Sequence, residues 1–275
     1  MTDAGDDPIL NRIADALERL SPRPASPADL NNGTAFYWNG STTVSIDPFT
    51  PVELDLLTGI DDHKARITDN SKRHANRHAA HDVLLWGARG MGKSALVKSA
   101  IYALASDYDI ALIEAASDQL SSLPKLFGLI AHNERQFILF IDDIGFDEGS
   151  SAPRLLRSML EGGASERPAN VRLYVTSNRR HIVPRHMNEQ DDPINPRDAL
   201  DDQLALSDRF GLRLGFHVAS QEDYLAIISK YAAFHDLNFE KDDALLWTKQ
   251  RGSRSGRAAW QYIIELAGRA GRSLN

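Results

Sequence analysis

The 275-residue chain contains no cysteine. Disulfides, thiolate metal sites and cysteine nucleophiles are therefore excluded. It has no run of about eighteen apolar residues, so no membrane-spanning helix is expected. An excess of positive charge is missing too. The 31 Lys and Arg residues stand against 38 Asp and Glu, a net charge of −7, so a generally basic, phosphate-tracking surface is not expected. A local basic patch remains compatible with that balance. No internal repeat is visible, and the only low-complexity stretch is the proline-rich residues 21–27. The first seven residues are polar and acidic, unlike a secretory signal, and the expected location is the cytoplasm. What is present is ordinary for a globular protein: 42% hydrophobic and 25% charged residues, enough for one large domain or a main domain plus a small one.

Residues 8–20 carry a helical stripe that includes Ile9, Leu10, Ile13, Leu17 and Leu20. Its flank is acidic, which suits a docking or oligomer-contact helix better than a membrane anchor. Residues 31–46, with Phe36, Tyr37 and Trp38, read as strands or irregular structure. A helical pattern over 52–77 is broken at Gly59. Short apolar strands are then expected at 83–86, 110–114, 137–142, 172–176 and 212–218. Helices are expected between them at 93–106, 118–132, 152–161 and 199–206. This alternation predicts an α/β fold with a parallel sheet covered on both faces. After Ser220 only helices are expected, at 221–234, 242–249 and 254–269. The expected division is an N-terminal helix, linker and irregular extension (1–50), an α/β nucleotide-binding domain (51–219) and a helical lid (220–275).

The sharpest motif runs Gly87, Ala88, Arg89, Gly90, Met91, Gly92, Lys93, Ser94 and fits the phosphate-binding loop G-x-x-x-x-G-K-[ST] at every fixed position. Glycines allow a tight turn whose N–H groups approach a polyphosphate. Lys93 is positioned to reach the β/γ-phosphates, and Ser94 to ligate Mg²⁺. Ala95 continues into the helix whose N-terminus attracts anions. A plain glycine-rich strand-to-helix turn would not explain the Lys-Ser pair. A second element, residues 136–143, is a buried strand ending in Asp142 and Asp143. An acid at such a strand end can hold Mg²⁺ through its water shell, which suits Asp142. Asp143 could orient or deprotonate an attacking water. Acids also end strands as simple turn formers.

On these residues the chain resembles the AAA+ ATPases over roughly residues 50–270. The resemblance implies a five-stranded parallel sheet of order 5-1-4-3-2 followed by a small all-helical lid, with ATP and Mg²⁺ as cofactors. It implies a sensor-1 role for Asn178, at the end of the apolar strand Leu173-Tyr-Val-Thr-Ser-Asn178. It implies an arginine finger at Arg209 in Ser207-Asp-Arg-Phe-Gly211, entering the site of a neighbouring subunit. The plain alternative for Arg209 is a surface arginine capping a helix end. It implies a sensor-2 arginine at Arg257, with Arg254 as the alternative, and an adenine contact at Ile60. The strings LLWGARGMGKSALVKSA, FILFIDDIGFDEG, VTSNRRHIVP, LSDRFGL and RGSRSGRAAWQ together resemble a family of bacterial ATP-binding proteins of this type whose function is unknown. One departure is the Asp-Asp pair where most AAA+ motors have Asp-Glu, so hydrolysis is expected to be slow.

The implied activity is ATP hydrolysis at a site shared within a homo-oligomer, acting on a protein or nucleic-acid client that the sequence does not name. The alternatives are an ATP-controlled assembly switch or loader-like adaptor with little turnover, and a small-molecule kinase. The lid and the Arg209 segment argue against the kinase. The basic residues within 178–186 could meet nucleic acid, a nucleotide phosphate or an acidic neighbouring subunit, though a solvated loop supporting the site is the preferred reading; residues 188–196 read as a flexible acidic insertion. His74, His78 and His81 have helical spacing, but no acid or cysteine sits at a matching position among them, so no metal site is read there.

Overall fold

The computed structural model describes residues 9, 12, 27–145, 152–160, 167–178 and 206–274. The expected N-terminal helix (Ile9 and Arg12 apart), the basic segment beyond Asn178, the acidic insertion and residues 199–205 lie outside the described residues. Among the described residues no helix is long and apolar enough to cross a membrane.

Among the described residues seven strands make one sheet. Five of them are β3 (Val83–Gly87), β4 (Ile110–Ala115), β5 (Gln136–Ile141), β6 (Val171–Ser177) and β7 (Leu212–Phe216). Side by side they run β4-β5-β6-β3-β7, all parallel. Counted from β3, that is the expected order 5-1-4-3-2. The sheet is larger than expected by two strands on the β4 edge. β1 (Ala35–Trp38) pairs parallel with β4, and β2 (Thr43–Ser45) pairs antiparallel with β1. The expected division at residue 51 therefore does not coincide with the edge of the sheet.

Strand residues feed two cores by simple alternation. Phe137, Leu139 and Ile141 of β5 face one core, and Ile138 and Phe140 the other. In β3, Leu84 joins the first core, while Val83 and Leu85 join the second. The first core is closed by α3 (Leu123–Ile130) and α4 (Ala152–Leu160), the second by α1 (Asp61–Ala75) and α2 (Lys93–Leu104). Burial on both faces is why these strands are unbroken apolar runs. The long helical pattern over 52–77 resolves into a short 3-10 turn at Leu54–Leu56, a break with Gly59 at φ 79°, and then α1.

The sheet is followed by α5 (Gln221–Phe234), α6 (Lys241–Arg251) and α7 (Gly256–Arg269). Ser220 caps α5 in a reciprocal box with Asp223, and Ser255 caps α7 by accepting from the Ala258 N–H. Their third core holds Tyr224, Ile228, Ala259, Tyr262 and Ile263, with Leu56 reaching in from the 3-10 turn. The lid thus packs on the segment ahead of α1.

Buried polar contacts tie α1 to the sheet: Asn70 Nδ2 donates to the Tyr174 hydroxyl at 2.9 Å, Ser71 Oγ lies 2.8 Å from that hydroxyl, and His74 meets β5. His74 is buried, with Nε2 3.1 Å from the Phe137 carbonyl. Burial, and then the nearby Arg172 charge, pushes its pKa from 6.5 down to about 4. The folded protein therefore holds His74 neutral, whereas the unfolded chain takes up a proton below 6.5. Stability should be lost as pH falls from 6.5 toward 4, by roughly 3 kcal/mol for this residue. Urea unfolding at pH 7, 6, 5 and 4 checks it. His74→Gln should flatten that slope, and an unchanged slope would assign the acid sensitivity elsewhere.

Candidate nucleotide site

The site lies where the C-terminal ends of β3, β5 and β6 meet the N-terminus of α2 and the lid. A cleft of about 390 Å³ opens there. Gly90 and Gly92 take φ of 73° and 87°, a left-handed geometry that glycine adopts without Cβ strain. The chain so turned delivers Lys93 and Ser94 into the first turn of α2.

Lys93 is 5% exposed. Its ammonium donates to the Gly87 carbonyl at 2.9 Å, the Ala88 carbonyl at 2.8 Å and Asn178 Oδ1 at 2.9 Å. Three N–H donors therefore meet three acceptors. Burial lowers its pKa from 10.5 to about 8, against the opposing pull of Asp143 and Asp142. Ser94 Oγ donates to Asp142 Oδ1 at 2.7 Å, and Thr176 Oγ1 donates to the same oxygen at 2.5 Å. Thr176 Oγ1 also accepts the Asp143 N–H at 2.8 Å. Asp143 has φ 52°, a strained value for an aspartate, and β6 holds it there through Thr176. Its carboxylate accepts from Asn178 Nδ2 and lies 3.4 Å from the Arg89 guanidinium.

The structure gathers most of the expected residues. Ile60, Arg89, Gly90, Met91, Gly92, Lys93, Ser94, Ala95, Asp142, Asp143, Asn178 and Arg257 all line the cleft. Gly87 and Ala88 do not; their carbonyls serve Lys93, and the Ala88 N–H donates to Phe216 at 2.8 Å. Arg257 is brought in through its own backbone, whose N–H donates to the Gly90 carbonyl at 3.1 Å, while Arg254 does not line the cleft. Arg209 is exposed and outside the cleft. It precedes β7, whose first residue Leu212 pairs with Val83 at the start of β3. Four residue steps along β3, about 13 Å, separate that end from the loop. Arg209 thus lies near the end of β3 opposite the loop of its own chain.

Sequence reasoning missed Thr176. The signal was available, because Thr176 near the end of β6 and Asn178 just past it are two residues apart, and both line the cleft. It also missed Tyr231 and Trp260 on the apolar wall, their rings 5.3 Å apart. No local pattern marks these, since the lid must dock before they meet the loop.

The donor set fits the group it would hold. Mg²⁺ takes hard oxygen ligands and is commonly bound through one or two protein oxygens plus phosphate and water. Ser94 Oγ and Asp142 Oδ1 are two such oxygens, already in contact.

A phosphate-loop motif after β3, paired acids after β5, an amide after β6, this strand order and the helices that follow give the chain a P-loop α/β fold of AAA+ type. The chain belongs to the family described as "Protein of unknown function (DUF815)", whose model matches residues 31–270. Comparison with curated proteins gives no match. Among solved structures it is similar to the RuvB Holliday junction branch migration motor of Thermotoga maritima (18% identity, TM-score 0.51, 82% of this chain and 68% of that one). It is similar to the Aeropyrum pernix ORC1 protein in complex with DNA (14%, TM-score 0.54, 84% and 68%). It is also similar to domain III of the T. maritima replication initiation protein DnaA (13%, TM-score 0.51, 84% and 94%). At these identities the likeness is one of fold.

Proposed function

We propose that this protein is a Mg²⁺-dependent ATP-binding protein and ATPase of AAA+ type, working in the cytoplasm at a site shared between identical subunits to drive or gate remodelling of a protein or nucleic-acid client. The observation that carries the reading is the polar network joining Lys93, Ser94, Asp142, Asp143 and Asn178 within one cleft. Loop amides and Lys93 hold phosphates; Ser94 and Asp142 hold Mg²⁺. When bound, Mg²⁺ neutralises phosphate charge during transfer. Asp143 and Asn178 orient the attacking water. Ile60 and the apolar wall take the adenine. Arg257 links the nucleotide to the lid, and Arg209 from a neighbour stabilises charge on the transferring phosphoryl group.

The test is steady-state ATP hydrolysis per subunit across protein concentration, with mass measured with and without ATP. Activity per subunit should rise with concentration. Arg209→Ala should lower turnover by about tenfold or more while ATP still binds. Flat activity in a monomer, indifferent to Arg209, would remove the shared site.

A second reading, an ATP-controlled assembly switch with little turnover, is favoured by Asp143. Its carboxylate is one methylene shorter than glutamate and is held by Asn178 and Arg89. ATP-dependent assembly with negligible hydrolysis would select it.

A further inference from the structure

The loop residue Arg89 belongs to none of the roles above. Its side chain is 74% exposed at the mouth of the cleft, and its guanidinium faces the Asp143 carboxylate. The contact is loose, 3.4 Å, between partly exposed groups. Such a pair is weak and readily exchanged.

Around it, the groups that would meet a nucleotide's phosphates are tied to one another. Lys93 has spent its three N–H donors on two carbonyls and Asn178 Oδ1. Asn178 passes the chain on, since its Nδ2 donates to Asp143. Asp143 closes it against Arg89. The chain Arg89–Asp143–Asn178–Lys93 is self-satisfied, and a phosphate must displace part of it to enter. Its softest links are those between side chains: Asn178 to Lys93, and Arg89 to Asp143. The Gly87 and Ala88 carbonyls are fixed by the backbone between β3 and β7.

We infer that Arg89 is a terminal-phosphate sensor: its guanidinium, loosely paired with Asp143, exchanges that carboxylate for the third phosphate of a nucleoside triphosphate. A guanidinium binds phosphate in a two-pronged, charge-assisted fashion that the distant Asp143 carboxylate does not match. A diphosphate lacks that group and leaves Arg89 on Asp143. The exchange frees Asp143 Oδ2, the oxygen that Arg89 contacts, so triphosphate arrival and release of Asp143 become one event. This inference rests on the nucleotide-binding reading above.

The experiment is equilibrium binding of ATP and ADP, each with Mg²⁺, to wild-type protein, Arg89→Ala and Arg89→Lys, with thermal melts of each variant. Wild type should prefer ATP relative to Arg89→Ala. Arg89→Ala should weaken ATP about tenfold and leave ADP within about twofold, and Arg89→Lys should recover part of the loss. Equal weakening of both nucleotides would make Arg89 a mere shaper of the loop and overturn the inference. No change in either would overturn it as well. Should Arg89→Ala melt early, Arg89→Lys decides alone: weaker ATP binding with ADP affinity kept supports the sensor, whereas parallel losses, or wild-type affinity for both nucleotides, reject it. Wild-type protein that binds neither nucleotide would instead remove the nucleotide reading itself, and the sensor with it.

Discussion

Replacing Gly87 by alanine is expected to destabilise the protein by about 3 kcal/mol or more, lowering its melting temperature by roughly 10 °C. Gly87 closes β3 at φ 116°, where an L side chain is strained whatever the space. Space is also lacking. A Cβ there would stand 2.1 Å from the Phe216 carbonyl oxygen. That atom is backbone, and it cannot rotate away. Gly87 pairs with Phe216 in the β3–β7 ladder, and the Ala88 N–H donates to the same oxygen. The only relief is to push β7 off β3, which breaks that bond and opens the second core at Phe216. Gly128, inside α3, is the control: a Cβ there meets nothing within 4 Å, and Gly128→Ala should be neutral or gain up to about 1 kcal/mol. Chemical and thermal unfolding of both variants tests the contrast. A Gly87→Ala protein melting with wild type would mean that the loop geometry described for this strand end is wrong.

The same residue shows what could and could not be read without coordinates. A glycine at position 87 was demanded by the phosphate-loop pattern, whereas its packing against Phe216 depends on a strand 129 residues later, read from the numbering alone. The five core strands were legible within one or two residues: β3 to β6 are buried along almost their whole length, and the edge strand β7 alternates buried Leu212, Leu214 and Phe216 with exposed Arg213. β1 was not. It is four residues long, alternates buried Phe36 and Trp38 with half-exposed Tyr37, and is held by parallel pairing to distant β4. Strands of that kind carry no local signature. The helix expected over 118–132 is a 3-10 stretch, Ser117–Ser122, followed by α3 with Pro124 in its first turn. A proline at that place starts a helix, which the periodicity overlooked. In the site, motif positions were legible and their partners were not. Asp142 and Asp143 are adjacent in sequence, yet the left-handed backbone at Asp143 sends them to different partners, one to Ser94 and the other to Asn178 and Arg89.

Lys93→Met is expected to weaken nucleotide binding by about a hundredfold or more, since one substitution removes the charge and its hydrogen bonds to phosphate from a water-poor site. The deeper test is the pH dependence. Burial holds the Lys93 pKa at about 8 in the folded protein, against 10.5 for a free lysine. Between those values the unfolded chain keeps a proton that the folded protein has lost. Stability therefore rises with pH across that window, and Lys93→Met lacks that rise. Phosphate favours the charged ammonium, so nucleotide binding must return the proton. Affinity should fall by up to about tenfold per pH unit above pH 8, and binding at pH 8.5 should take up a fraction of a proton per site. Calorimetry in two buffers of different ionisation enthalpy reads that uptake directly. Binding that neither takes up a proton nor weakens between pH 8 and 9.5 would show that the ammonium keeps its ordinary pKa, and that the three oxygens around it already stabilise its charge without a phosphate.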